Sequence, residues 1–354
     1  MPLRVETGLL NPDTDQYAGK GQGRPSIESV AAAAREIEAL GFDGACTPEA
    51  GHDPFLPLMV AAEHTRTLTL GTNVAIAFPR SPMVVAQLAW DLQQFSAGRF
   101  QLGLGTQVKG HNELRYATPW TAGPGPRLRE YVLCLQAMFQ SFQNGERPTY
   151  FEGRHYQFKL LPPFFNPGPI EHPAPPIYVA AVNEYMCRLG GELCGGVRLH
   201  PIATFKYVKK TILPAIEAGA VKAGRLLADV DVVGAPFLAL GRDEKEIEAA
   251  KRALKQAIAF YASTRTYHSV LEFHGWQEVG TKLHQLSREG KWGEMPALIT
   301  DDMLAEWALI STYDALATTV KERCAGIFQT VLLDLPPRLR EDGARVREIV
   351  EALH

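Results

Sequence analysis

Apolar positions along this chain recur with two alternating periods. From Thr67 to Ala77 the residues are mostly apolar or β-branched and none is charged, as in a strand covered on both faces of a parallel sheet. Phe78-Pro-Arg-Ser-Pro82 breaks that run. Residues 83–95 then bring Val84, Val85, Leu88, Leu92 and Phe95 onto one face of a helix that Gly98 ends. Residues 100–105 read as a strand again, closing on Gly103 and Gly105. Glycine packs nothing in a strand, so the pair marks a place where a flat ligand or another stretch of backbone comes close.

The same alternation extends over the rest of the chain. Strands are expected to start near Arg4, Phe42, Leu68, Phe100, Ile177, Val197, Asp231 and Gln329, the seventh running 231–240. Helices are expected after Ser26, as an N-cap, and over 56–64, 83–95, 127–142, 184–193, 205–223, 243–262 and 342–353. Eight strands alternating with helices, with no doubling back, predict an α/β fold, the (β/α)8 TIM barrel, as a single domain over 1–354.

Two stretches interrupt the rhythm. Residues 145–176 are rich in proline around the aromatic run 150–158, whose Glu-Gly centre predicts a small β-hairpin insertion. Residues 261–310 hold Trp276, Trp292, Trp307, His268, His274 and His284 in short helical pieces. They are expected to form a helical insertion after the seventh barrel helix, with those aromatic residues as its own core. Gly19, Gly21 and Gly23 lie in a polar loop over 11–25, but Arg24 stands where a dinucleotide fingerprint needs its last glycine and no helix opens there. A Rossmann site is therefore not expected.

Composition narrows the partners. A net charge of −3 and a pI near 6.4 leave no basic field for nucleic acid or an anionic membrane. No apolar run approaches the roughly 20 residues of a membrane span, and residues 1–7 lack the apolar region of a signal peptide. The five cysteines are scattered and form no Cys-x-x-Cys pair, so reduced thiols of a cytoplasmic protein are expected, neither disulfides nor zinc ligands. No His-Glu-x-x-His and no Gly-x-Ser-x-Gly occurs. A chain without a catalytic constellation of its own points to a cofactor that does the chemistry while the protein binds and orients. Candidate polar groups at the strand ends are Glu49 and His52 after the second strand, Gln107, Lys109 and His111 after the fourth, and His200 at the end of the sixth.

Gly71-Thr-Asn-Val-Ala-Ile-Ala-Phe-Pro-Arg-Ser-Pro82, Ser96-Ala-Gly-Arg-Phe-Gln-Leu-Gly-Leu-Gly105, Phe151-Glu-Gly-Arg-His-Tyr156 and Pro175-Pro-Ile-Tyr-Val-Ala-Ala181 together resemble the bacterial luciferase-like monooxygenase superfamily. Gly71-Thr-Asn-Val and His52-Asp-Pro-Phe-Leu-Pro57 are closest to its members that use the deazaflavin coenzyme F420. The resemblance implies a flavin or deazaflavin at the C-terminal mouth of the barrel, bound by Thr72, Asn73, Val74, Thr106, Gln107, Val182, Asn183 and His200. It also implies a non-prolyl cis peptide at Asn73-Val74 behind the ring, and a cradle for the coenzyme's phosphodiester at Val182-Asn183-Glu184 on a helix N-terminus. Family members usually carry glycines in that cradle, and an Asp-Gly where this chain has Gly195-Gly196. The histidine that dehydrogenase members place just past the second strand is Ala50 here, which leaves His52, Glu49 and His111 as catalytic candidates. The resemblance further implies a homodimer and hydride transfer between coenzyme F420 and a small organic substrate, as a reductase or dehydrogenase, because a reduced deazaflavin reacts poorly with oxygen. The alternatives on the same fold are an FMN-dependent monooxygenase and a flavin-binding relative without catalysis.

Overall fold

Side-chain alternation along each strand decides what fills the centre of this molecule. The computed structural model describes residues 3–9, 26–145 and 147–354. The glycine-bearing loop 11–25 lies outside them. Among the described residues, eight parallel strands close into a ring: β1 (Arg4–Gly8), β2 (Gly44–Thr47), β3 (Thr69–Thr72), β4 (Phe100–Gly105), β5 (Ile177–Ala181), β6 (Gly196–Leu199), β7 (Asp231–Gly234) and β8 (Thr330–Leu332). Each pairs with its neighbour in sequence, and β8 returns to β1 in the register Arg4 with Thr330 and Glu6 with Leu332. The TIM barrel read from the hydrophobic pattern is the fold.

Residues two apart on a strand face the same way, and the lower inward layers are polar. Asp231 takes an ion pair from Arg4 at 2.6 Å and hydrogen bonds from the Tyr178 hydroxyl at 2.9 Å and the Thr330 hydroxyl at 2.9 Å. One layer up, Arg198 donates to Glu6 at 2.8 Å and to Gln101 at 3.0 Å, all three buried. Gly44 and Gly71 make room for this pair: a Cβ on Gly44 would stand 2.9 Å from the Glu6 side chain, and one on Gly71 2.9 Å from the Arg198 guanidinium. The interior below the mouth is thus occupied by an ion network, and a ligand of the barrel must sit above it.

The helices cover the ring. α1 (Val30–Ala39), α2 (Leu56–His64), α3 (Pro82–Phe95), α4 (Pro124–Asn144) and α5 (Glu184–Leu193) fall where the 3.6-residue period placed them, and the next helix runs over 205–222 through a π-turn at Val208–Ile212. On α3 the buried face is Val85, Ala86, Ala89, Trp90 and Leu92, so Val84 and Phe95 point out, at 48% and 52% exposure. The hairpin insertion pairs Phe151–Glu152 with Gln157–Phe158, antiparallel.

The seventh strand departs from the expected 231–240. Pro236 has no N–H to give a ladder, and the chain leaves the barrel after Gly234. Phe237–Gly241 pairs instead with Ala308–Thr312, a parallel two-stranded sheet outside the ring. Glu244–Ala262 packs on that sheet, and the helix that leads back into β8 is Leu316–Cys324. The elaboration therefore spans 237–312. It follows the seventh strand at the C-terminal face, rather than following the seventh barrel helix over 261–310. It has a small apolar core of its own, with Ile258, Leu283, Met295, Met303, Leu304 and Trp307 buried together against Ile202.

All five cysteines are unpaired and buried. No described helix is long and apolar enough to cross a membrane, and no group of three or more metal-ligating side chains comes together among the described residues.

Candidate active site at the C-terminal mouth

Carrying the inward register of each strand past its last rung places Gly8, Asp334, Asn73, Gly105, Val182 and His200 around the mouth. Two of the six, Gly8 and Gly105, carry no side chain. The glycines of β4 are matched by the chain itself: a Cβ on Gly103 would overlap the Thr72 carbonyl, and one on Gly105 would stand 2.6 Å from Val74 Cγ2. The 72–74 backbone and the Val74 side chain thus enter the barrel over β4, and it is backbone that makes the close approach those glycines foretold. The Asn73–Val74 peptide is cis. Thr72 is buried and donates its hydroxyl to the Gly103 carbonyl at 2.6 Å, which ties the segment down and spends that hydroxyl.

Glu49 is held in a clamp. One carboxylate oxygen accepts the Ile76 N–H and an Arg80 N–H, both at 2.7 Å, and the other accepts the Tyr116 hydroxyl at 3.0 Å. Arg80 reaches on to Asp53 at 3.1 Å, and Asp53 caps the start of α2 by accepting from Phe55 N at 2.8 Å. Burial pulls the Arg80 guanidinium down, but Glu49 and Asp53 outweigh it and raise it further into the cationic range. Burial beside Glu49 pushes the Tyr116 hydroxyl up to about 12, so it stays a donor. Loops from β2, β3 and β4 are bound together through one carboxylate with no oxygen left over, while Arg115 donates to the Ala50 carbonyl from the same side.

The other predicted residues scatter around this frame. Thr106 lends its carbonyl to the Asn112 amide at 3.0 Å, and Gln107, at φ 54°, folds its side chain back to accept from Val108 N at 2.9 Å. His52 and His111 are exposed, as is Lys109, which lies near Glu113. Val182 is half-buried with its carbonyl near the Tyr207 hydroxyl, at 3.4 Å. Asn183 caps α5, its side chain accepting from Met186 N at 3.0 Å, and Glu184 on the first turn pairs with Arg188.

His200 is enclosed by the elaboration. Tyr267 stacks on it at 4.7 Å between ring centroids and Tyr261 meets it edge-on at 4.5 Å. Burial lowers the imidazole to about 4, so it is neutral at physiological pH. Nδ1 accepts the Ile202 N–H at 3.1 Å, which puts the remaining proton on Nε2. Two aromatics of the elaboration thus reach the mouth, although that segment was expected to supply only its own core. His274, by contrast, is spent on the Thr204 hydroxyl at 2.7 Å, and Trp307 donates to the Ile202 carbonyl at 2.6 Å.

The strand pattern missed one residue. Asp334 follows β8 and takes the Gly8 N–H on Oδ1 at 3.0 Å, so it closes the top of the β8–β1 seam. Asp334 is exposed at the mouth, but the protein packed beside it partly desolvates its carboxyl and raises it above the ordinary carboxylate range against the pull of the Gly8 hydrogen bond and of Arg340. The signal was an aspartate at the end of a barrel strand, before Leu335-Pro336-Pro337.

Comparison with known proteins agrees with this architecture. A sequence model of the luciferase-like monooxygenases matches residues 9–330. An uncharacterised protein of Mycobacterium tuberculosis is 43% identical over 306 residues, 86% of this chain and 89% of that one. A 5,10-methylenetetrahydromethanopterin reductase of Archaeoglobus fulgidus is 28% identical over 283 residues, 77% and 79% of the two chains. Among solved structures, the coenzyme F420 dependent tetrahydromethanopterin reductase of Methanopyrus kandleri superimposes with a TM-score of 0.78 over 99% of both chains at 21% identity. With the family model spanning nearly the whole barrel, the chain belongs to the luciferase-like monooxygenase family of oxidoreductases.

Proposed function

We propose that this chain is a deazaflavin-dependent oxidoreductase that moves a hydride between coenzyme F420 and a small organic substrate at the barrel mouth. The observation that carries this reading is the 72–74 segment, which lies over Gly103 and Gly105 and brings the Val74 side chain into the mouth. An apolar backing on one side of a flat ring would leave a single face open to substrate. The names of relatives favour the deazaflavin: an F420-dependent glucose-6-phosphate dehydrogenase of Beutenbergia cavernae is 32% identical over 55% of this chain and 59% of that one.

When bound, the coenzyme would supply or accept the hydride, which carries both electrons of the reaction. The residues of this chain bind, orient and exclude water. Val74 and the 72–74 backbone would back a bound ring, and His200, stacked on Tyr267, would offer it an Nε2–H. The first turn of α5 offers backbone N–H groups to a phosphodiester beside Asn183. Glu49 holds the loops that frame the site.

The expected assembly is a homodimer. Leu56 and Met59 on α2 and Val84 and Phe95 on α3 are exposed on adjacent helices, the first at 58%. A monomer by light scattering at high protein concentration overturns that assembly.

Titration of the purified chain with F420 and with FMN tests the cofactor. Quenching of deazaflavin fluorescence at sub-stoichiometric protein is expected. Tight binding of FMN with none of F420 moves the reading to an FMN-dependent monooxygenase.

A further inference from the structure

We propose that Asp334 is the acid–base residue of this mouth, exchanging its carboxyl proton with the heteroatom of a substrate C=O or C=N bond as a hydride joins the carbon. This rests on the hydride-transfer reading above.

The geometry singles it out. Asp334 continues the inward row of β8, two residues beyond Leu332 and level with Gly8 of β1, so its carboxyl stands at the mouth where the neighbouring strand contributes no side chain. One oxygen is engaged by the Gly8 N–H, and the other has no hydrogen-bond partner among the described residues. The remaining candidates are spent or badly placed. Both oxygens of Glu49 already accept hydrogen bonds, His52 lies in the loop after β2 and His111 on the short helix Lys109–Leu114, neither in the inward row of a strand, and neutral His200 holds its proton on Nε2 as a hydrogen-bond donor. The titratable groups facing Asp334 are the buried Cys46 thiol of β2, which Asn73 hydrogen-bonds, and Arg340 of the short helix Pro337–Arg340. Neither neutralises it by direct contact. A carboxyl raised by desolvation but open to water is suited to give up a proton and recover one.

The step balances. The substrate carbon takes up the hydride with its electron pair, and the π pair moves onto oxygen or nitrogen. The Asp334 O–H bond breaks towards that atom. The carboxylate left behind takes a proton from water through the mouth. Reduced deazaflavin is the co-reactant, and its oxidised form with one proton released to solvent completes the reaction. The reverse direction makes Asp334 the base for a secondary alcohol or amine.

Asp334→Asn separates this role from a structural one, because the amide oxygen keeps the Gly8 N–H bond. Three readouts apply to wild type and variant: the Asp334 carboxyl titration by carbon NMR with and without F420, deazaflavin affinity by fluorescence, and oxidation of reduced F420 by acetone, cyclohexanone and a cyclic imine. The expected result is a carboxyl titrating above the ordinary range and moving further up when F420 covers it. In the variant, affinity is unchanged, kcat falls about 100-fold or more, and the limb of the pH profile assigned to this group disappears. If no probe turns over, the carboxyl titration decides: an ordinary titration, or one that F420 leaves unmoved, overturns the proposal. Equal kcat in the two proteins, or loss of F420 binding in the variant, also overturns it and leaves the hydride-transfer reading standing. A wild-type chain that binds no deazaflavin sinks that reading, and this proposal with it.

Discussion

The two sides of the mouth solve opposite problems. Over β2, β3 and β4 the polar groups are mutually satisfied: Glu49, Arg80, Asp53 and Tyr116 exhaust one another and lock three loops. Over β6, β8 and β1 His200 and Asp334 have, among the described residues, one hydrogen-bond partner each, Ile202 N and Gly8 N, and desolvation moves both away from their ordinary protonation. The first arrangement makes a frame. The second costs stability and stores reactivity, as sites commonly do. The contrast teaches that a carboxylate at the end of a barrel strand is not thereby chemical: what its oxygens are already bonded to decides, and Glu49 takes three hydrogen bonds, one of them from the Arg80 guanidinium.

Substitution on each side breaks or sharpens this contrast. Glu49→Ala leaves Arg80 half-buried without its main partner and is expected to cost about 3–5 kcal/mol, read as a fall in the denaturation midpoint. Asp334→Asn should move the midpoint the other way at neutral pH. The folded carboxyl binds its proton more tightly than the unfolded one, so the fold loses stability as pH rises from the ordinary carboxylate value to the raised one, and the amide escapes that loss. A Tm for the Asn variant below wild type would erase the distinction between the two sides.

Gly103→Ala drives a methyl into the Thr72 carbonyl and should cost about 1–3 kcal/mol, with a larger loss of deazaflavin affinity because the 72–74 segment must shift. Urea titration and fluorescence titration on the same variant measure the two effects. His200→Phe tests the open side by pH. The unfolded imidazole binds a proton near 6.5 and the folded one near 4, so wild type loses stability as pH falls through that interval. The Phe variant should show a shallower slope there, and an unchanged slope means His200 is not the group responsible. His52→Ala, on an exposed loop, should leave stability within about 0.5 kcal/mol, which makes it the baseline for the others.

Much of the barrel was legible in the sequence because each strand and helix is a local pattern. The charge-free run before Phe78, the Ser26 N-cap and the Gly98 stop each act within a few residues of where they stand. The resemblance carried the cis Asn73–Val74 peptide, which lies inside the contiguous motif 71–82. The strand count misplaced the elaboration, because 231–240 has the composition of one strand, and only the pairing of Phe237–Gly241 with Ala308–Thr312 reveals that the chain has left the ring.

By itself, then, the amino-acid order determined the eight-fold alternation, the helix ends and the backbone approach at Gly103 and Gly105, all of which depend on short-range sterics and hydrogen bonding. Tertiary structure alone decided which polar groups are consumed and which are left open. Glu49 meets Arg80 31 residues away and Tyr116 67 away, His200 is covered by tyrosines of the elaboration, and Asp334 meets Gly8 from 326 residues along the chain. Burial and pairing are properties of the assembled neighbourhood, and desolvation, which sets the protonation of Asp334 and His200, has no counterpart in the unfolded chain.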